Sequence, residues 1–155
     1  AGLGIIACDL CEENGLQIAV LTKETVRKIK ELLPPLSIRT NPVDMGPAWY
    51  DWETCREVIK TVSADKNVHA LMVLAAYASA NEPIVKEITE TLKVIARKKP
   101  VVTCFPSPGN IWLQEKRELE IANVPVYPTP ERAAKALANM VKFIETLRGK
   151  ARFAD

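Results

Sequence analysis

The first residues of the chain have the makings of an anion site: Ala1, Gly2, Leu3 and Gly4 run straight into an amphipathic segment. In α/β proteins a glycine-rich entry of this kind leaves bare backbone N–H groups at a helix N-terminus, where a phosphate or carboxylate docks. Such an entry normally follows a strand, so the pattern predicts a strand upstream of Ala1 and a chain cut from something larger. Cys8 and Cys11 have the spacing of redox and metal motifs. A zinc site needs two more ligands, yet Cys55, Cys104 and the single histidine, His69, are isolated in sequence. A thioredoxin-type pair belongs in the first turn of its helix. The four cysteines are therefore read as reduced packing residues, and no metal site is expected.

The elements that must position these groups follow from periodicity. Leu3, Ile6, Ala7 and Leu10 recur at helical spacing with Asp9, Glu12 and Glu13 opposite, and Asn14 with Gly15 supplies the stop. Residues 16–21 read as a short buried strand. Thr22 caps a helix running through Leu33, which Pro34 and Pro35 end. After a loop at 41–49, a helix is expected from about Trp52 to Val62, then a strand at 68–76, apolar enough to be covered on both faces. Helices at 82–98 and 110–122 alternate with strands at 100–105 and 124–127. Thr129 and Pro130 start a last helix carrying Ala133, Leu137, Met140 and Ile144, which stops near Gly149. The alternation predicts an α/β, doubly wound parallel sheet with helices on both faces. Four strands are visible; a first strand upstream of residue 1 completes a flavodoxin-like sheet of order 2-1-3-4-5.

Composition sets bounds on the partners. A chain of 155 residues, 48% hydrophobic, makes one compact domain, taken as 1–149 with a C-terminal tail at 150–155. Twenty-one basic against nineteen acidic residues give a net charge of +2 without a basic block, which leaves no nucleic-acid footprint. The longest apolar stretch, 70–78, is less than half of a bilayer span, and no signal segment is present, so a soluble cytoplasmic protein with no membrane partner is expected.

In such sheets ligands bind at the carboxyl ends of the strands. The loops there are 1–4, 41–49, 77–83, 106–110 and 128–130. Ser79, Asn81, Ser107 and Asn110 offer neutral hydrogen-bond partners, and Arg39 is the nearest basic residue. An anion would thus be held by helix dipoles and amides rather than by side-chain charge.

The run Gly2, Leu3, Gly4, Ile5, Ile6, Ala7, Cys8, Asp9, followed by Glu12, Glu13, Asn14, Gly15, Leu16, then Leu33, Pro34, Pro35, then Arg39, Thr40, Asn41, Pro42, Val43, Asp44, carries a resemblance. It resembles the flavodoxin-like CoA-ligase domain of the NDP-forming acyl-CoA synthetases, the succinyl-CoA synthetase superfamily. The likeness continues through 67–74, 99–105 and 124–128 into the helix from Glu131, nearly the whole chain. It implies a reaction in which acyl-CoA, NDP and phosphate exchange with free acid, CoA and NTP through an acyl phosphate and a phosphohistidine. The histidine belongs to a companion domain and rests, in one of its positions, against a helix N-terminus that maps to Gly2, Leu3 and Gly4. Asn41, Asp44 and Gly46 would form the neighbouring wall, with Gly46 allowing close approach, and Ser107, Gly109 and Asn110 would line it further; none is assigned proton transfer. The resemblance places CoA, nucleotide and Mg on companion domains, with no cofactor bound by this domain alone. The partners it implies are the CoA-binding, phosphohistidine-bearing and ATP-grasp domains or subunits of one enzyme, and an isolated domain would be inactive.

His69 opens its strand at the edge of the sheet away from these loops, so it is read as structural and not as the phosphoryl carrier. The chain departs from the family at Pro106, Ser107, Pro108 and Gly109, proline-rich where relatives tend to be glycine-rich. Trp49, Tyr50 and Trp52 add aromatic bulk that suits packing against a neighbouring domain. The competing class is a stand-alone flavodoxin-like binding or scaffold module. A phosphate-receiver version fails because Tyr77, Ala78 and Ser79 stand where an aspartate is needed, and a flavin version wants hydroxyls in the first loop.

Overall fold

The computed structural model describes residues 2–151; Ala1 and residues 152–155, most of the predicted tail, lie outside them. Helix α1 (Gly2–Glu13) stops where Asn14 and Gly15 predict. Gly15 adopts φ +84°, its N–H donates to the Glu12 carbonyl, and the Leu16 N–H donates to the Cys11 carbonyl, both at 2.9 Å. These are the two bonds of a Schellman motif, which a left-handed residue makes possible. α2 (Lys23–Leu32) starts at Thr22, whose hydroxyl accepts from the Thr25 N–H at 3.3 Å. A 3-10 turn (Gly46–Tyr50) leads into α3 (Trp52–Ser63), capped by Asp51. β1 (Leu71–Leu74), α4 (Glu82–Ala96), β2 (Val101–Cys104), α5 (Leu113–Ile121), β3 (Val126–Tyr127) and α6 (Pro130–Ala151) complete the order.

The strands form a parallel sheet in the order β1-β2-β3, with Leu71 opposite Val101 and Thr103 opposite Val126. Alternation divides it into two faces. Leu71, Val73, Val101, Phe105 and Val126 face the cluster built with α4, α5 and part of α3. Met72, Leu74, Val102, Cys104 and Tyr127 face Ala133 and Leu137 of α6, against which α1 also packs. Helices on both faces of an open parallel sheet give the flavodoxin-like α/β fold expected from the sequence.

Two expectations need correction. Residues 16–21 are not a strand of the sheet: side-chain amides take their carbonyls, Asn41 Nδ2 donating to Ala19 at 3.1 Å and Asn67 Nδ2 to Val20 at 2.8 Å. Among the described residues no strand lies hydrogen-bonded beside this segment. Val20 is accordingly 81% exposed. The strand expected at 68–76 shrinks to four residues that are mostly half-buried, β1 pairing with β2 alone among the described residues.

Thr22 sits against Asp65, beyond the end of α3, and α2 packs on α3, so the two run antiparallel as a helical hairpin joined by the 33–51 loop. The Asp65 carboxylate, buried at 4% exposure, accepts from the Thr22 N–H at 2.8 Å, the Thr22 hydroxyl at 2.9 Å and the Asn67 N–H at 2.9 Å. Burial pushes its pKa up, but the bonds from Thr25, Asn67 and Thr22 together outweigh it and bring the group down to about 2. A carboxyl depressed on folding stabilises above its unfolded pKa, near 4, and loses that contribution as pH falls toward 2. Asp65→Asn is expected to cost about 1–2 kcal/mol at pH 7. It should also flatten the loss of stability between pH 4 and 2, as checked by urea denaturation at each pH.

Candidate functional site

At the carboxyl edge of the sheet the loops form one continuous rim. Gly4, in the first turn of α1, lies against the Asn41 loop: a Cβ on it would sit 3.6 Å from Pro42 Cβ, and the Asn41–Pro42 peptide is cis. The 3-10 turn that begins at Gly46 touches a second one, Ser79–Asn81. Buried Asn81 closes that turn, accepting from the Ala78 N–H at 2.8 Å and donating to the Ala76 carbonyl at 2.9 Å. Tyr77 N–H donates to the Pro106 carbonyl, and Trp112 stacks edge-on against both Tyr77 and Phe105. Trp112 is held at φ +60° and donates from Nε1 to the Glu82 carbonyl at 2.7 Å, fixing the 106–112 loop to the start of α4.

The sequence-derived site residues divide by what they do. Gly2 is exposed with nothing within 4 Å of its Cβ position, while Leu3 and Gly4 are half-buried. Asn41 spends its amide on the Ala19 carbonyl. Asp44 pairs with Ile38 in an antiparallel bridge and accepts from the Gly46 N–H at 3.1 Å. Gly46 provides close approach, but to its own chain: Ser37 packs on it and donates from Oγ to the Met45 carbonyl at 2.9 Å. Ser107 lies at the half-buried end of the 106–112 loop, Gly109 turns it at φ +54°, and Asn110 is exposed. The structure brings Gly2, Leu3, Gly4, Asn41, Asp44 and Gly46 to one side of the rim and Ser107, Gly109 and Asn110 to the other.

The helix N-termini differ in charge. α2, α3, α4, α5 and α6 each carry a glutamate in the first turn: Glu24, Glu53, Glu82, Glu115 and Glu131. α1 carries none. An acidic residue in the first turn offsets the positive end of its own helix, and the α1 end lacks such a residue.

Sequence reasoning missed one group. Apart from Arg39, no basic side chain was expected at this edge, yet Lys116, from the first turns of α5, places Nζ 2.6 Å from Ser107 Oγ. Its signal is its spacing, nine residues on from Ser107 and across a turn that periodicity does not reveal. Arg39 itself is taken by the Leu33 carbonyl at 2.9 Å. The thiols are poor nucleophiles. Burial, with Glu12 and Asp9, raises Cys8; burial, with Cys8 and Glu12, raises Cys11; burial, with Asp51, pushes Cys55 to about 12. His69 is exposed just before β1, at the opposite edge of the sheet.

The Gly46 turn generates a direct test. A Cβ there would lie 2.8 Å from Ser37 Oγ and 3.2 Å from Ser37 Cα, at a backbone φ of +52°. Gly46→Ala should therefore cost about 2 kcal/mol or more, and adding Ser37→Ala should recover only part of it, because the crowding against the Ser37 backbone and the strained φ remain. Denaturation of the single and double variants measures this.

No family model matches the chain. Over 150 residues it is 31% identical to the acetate–CoA ligase [ADP-forming] I subunit alpha of Pyrococcus furiosus, covering 92% of this chain and 30% of that protein. The II subunit alpha of the same organism is 29% identical, with 96% and 33% covered. Among solved structures, a dinucleotide-forming acetyl-coenzyme A synthetase 1 from Ca. Korarchaeum cryptofilum superposes with a TM-score of 0.75 at 25% identity, over 93% of this chain and 31% of that one. A protein from Pyrococcus horikoshii OT3 superposes equally well, at 0.75 and 27% identity, over 89% of this chain and 32% of that one. The chain spans about a third of the length of each of these relatives. In sequence the chain is a homologue of part of the ADP-forming acetate–CoA ligase subunits, and in fold it matches part of a dinucleotide-forming acetyl-coenzyme A synthetase.

Proposed function

We propose that this chain is the ligase domain of an NDP-forming acyl-CoA synthetase, working as one part of a multidomain or multisubunit enzyme. The overall exchange is acyl-CoA, NDP and phosphate for acid, CoA and NTP, with the phosphoryl group carried on a histidine of a companion domain. The role of this chain is to receive that phosphohistidine at the N-terminus of α1, beside the Asn41 loop. CoA, nucleotide and Mg belong to companion domains, and an isolated domain is inactive.

One observation carries the proposal: α1 is the helix at this edge whose first turn holds no acidic side chain, and Gly2 leaves the backbone there exposed. A dianionic phosphoryl group at a partly buried helix N-terminus gains about 1–2 kcal/mol from the dipole, and direct amide hydrogen bonds add to it. Short of those bonds the phosphoenzyme would hydrolyse or return its phosphate sooner.

The test uses the space around the glycines. A side chain at Gly2 meets no atom within 4 Å of its Cβ, and one at Gly4 makes ordinary van der Waals contact with Pro42. Gly2→Leu and Gly4→Ala in the assembled enzyme should leave stability unchanged or higher by up to about 1 kcal/mol, because both positions are helical. They should shorten the lifetime of the phosphohistidine about tenfold, as followed by quench-flow with labelled nucleotide. An unchanged lifetime in a folded variant contradicts the assignment.

A further inference from the structure

On the far side of the rim from α1, the side chains Ser107 and Lys116 form a couple that the phosphohistidine seat does not use. Lys116 Nζ donates to Ser107 Oγ at 2.6 Å, and Ser107 Oγ in turn donates to the Ile111 carbonyl at 3.0 Å. Both residues are half-buried, and they lie where β2 ends. Among the described residues no carboxylate stands within ion-pair distance of this half-buried ammonium. A partly desolvated cation held by a neutral hydroxyl is incompletely compensated, and it has N–H donors left over after the one given to Ser107. Burial lowers the Lys116 pKa, with the Cys104 thiol on β2 acting the other way, while Glu131 on α6 acts on Cys104 in turn. That is the behaviour of a charge lacking an anionic partner.

The loop around the couple is built for close approach. Gly109 turns at φ +54° with open space at its Cβ position. Trp112, buried and at φ +60°, pins the far end of the loop to the Glu82 carbonyl, so the Lys116 ammonium is presented from a rigid frame.

We infer that Lys116 and Ser107 form an oxyanion subsite at the end of β2, separate from the α1 seat, that takes the carboxylate of the acid or inorganic phosphate. The naming of those two sources rests on the ligase proposal; the subsite itself rests on the geometry. A charge-assisted bond from a partly buried ammonium to an oxyanion is about twice as strong as a neutral one, and losing it costs roughly tenfold or more in affinity.

The experiment is done on the native assembly containing this chain, with Lys116→Gln, Lys116→Arg and Ser107→Ala. Acetate and inorganic phosphate are the probes, each titrated against the 13Cε signal of labelled Lys116 in the unsubstituted protein, and KM for each is measured in the variants. The expected result is a saturable shift of the Lys116 signal with one of the two. That same probe's KM should rise tenfold or more in Lys116→Gln and less in Lys116→Arg, with the KM for nucleotide within twofold. A response to acetate assigns the subsite to the acid, and a response to phosphate assigns it to the phosphoryl source. A Lys116 signal that moves with neither probe overturns the inference and leaves Lys116 as a tie for the 106–112 loop. The NMR titration needs neither turnover nor a stable variant. A shift in an assembly without ligase activity would sustain the subsite while removing the ligase proposal.

Discussion

The structure depends on burying β2 on both sides. Val101, Val102, Thr103, Cys104 and Phe105 are all at most 3% exposed, so apolar cover is needed above and below the strand. α4 and α5 supply one face and α6 the other, with α1 packed on α6. Parallel pairing imposes the rest. Each crossover must carry the chain back to the amino edge through a helix, so strand exits and the helix starts that follow them collect at the carboxyl edge. That edge is where the candidate site lies.

The two edges are finished in opposite ways. At the amino edge polar groups are paired off: Asp65 takes donors from Thr22 and Asn67, and Lys99 donates to the Ser63 carbonyl and, at 2.6 Å, to the Val68 carbonyl. These bonds lock the α2–α3 hairpin to the start of β1. At the carboxyl edge Trp112, Asn81 and Gly46 stiffen the loops, but α1 has no acidic residue at its start and Lys116 has no carboxylate partner among the described residues. Stiffened loops, the open first turn of α1 and the Lys116 ammonium thus share the carboxyl edge, the kind of place where a rigid scaffold presents polar groups.

Much of this was legible in the sequence. Gly15 marks its helix end because only a left-handed residue closes a Schellman motif there, and Thr22 caps its helix by a local rule. The apolar run that became β2 was readable because a strand buried on both faces loses alternation. What sequence could not convey was partnership across long separations. Residues 16–21 have the pattern of a strand, but a strand exists only with a neighbour, and their carbonyls went to Asn41 and Asn67 instead. The α2–α3 pairing is set by a contact between Thr22 and Asp65, forty-three residues apart. On the site, Gly2, Leu3 and Gly4 were visible as composition. Lys116 was not, because its meeting with Ser107 depends on the unusual backbone of Trp112.

On the proposed reading, this fold contributes one half of a phosphoryl seat to an acyl-CoA synthetase. The decisive measurement is thioester-dependent synthesis of ATP or GTP from the diphosphate and phosphate by the native assembly containing this chain, with the labelled phosphohistidine trapped and located. Triphosphate should form with at least one class of thioester, and the label should sit on a histidine of a companion domain, not on His69. No synthesis with short-chain, aryl or dicarboxylic thioesters in an intact assembly, or a label on His69, would contradict that reading.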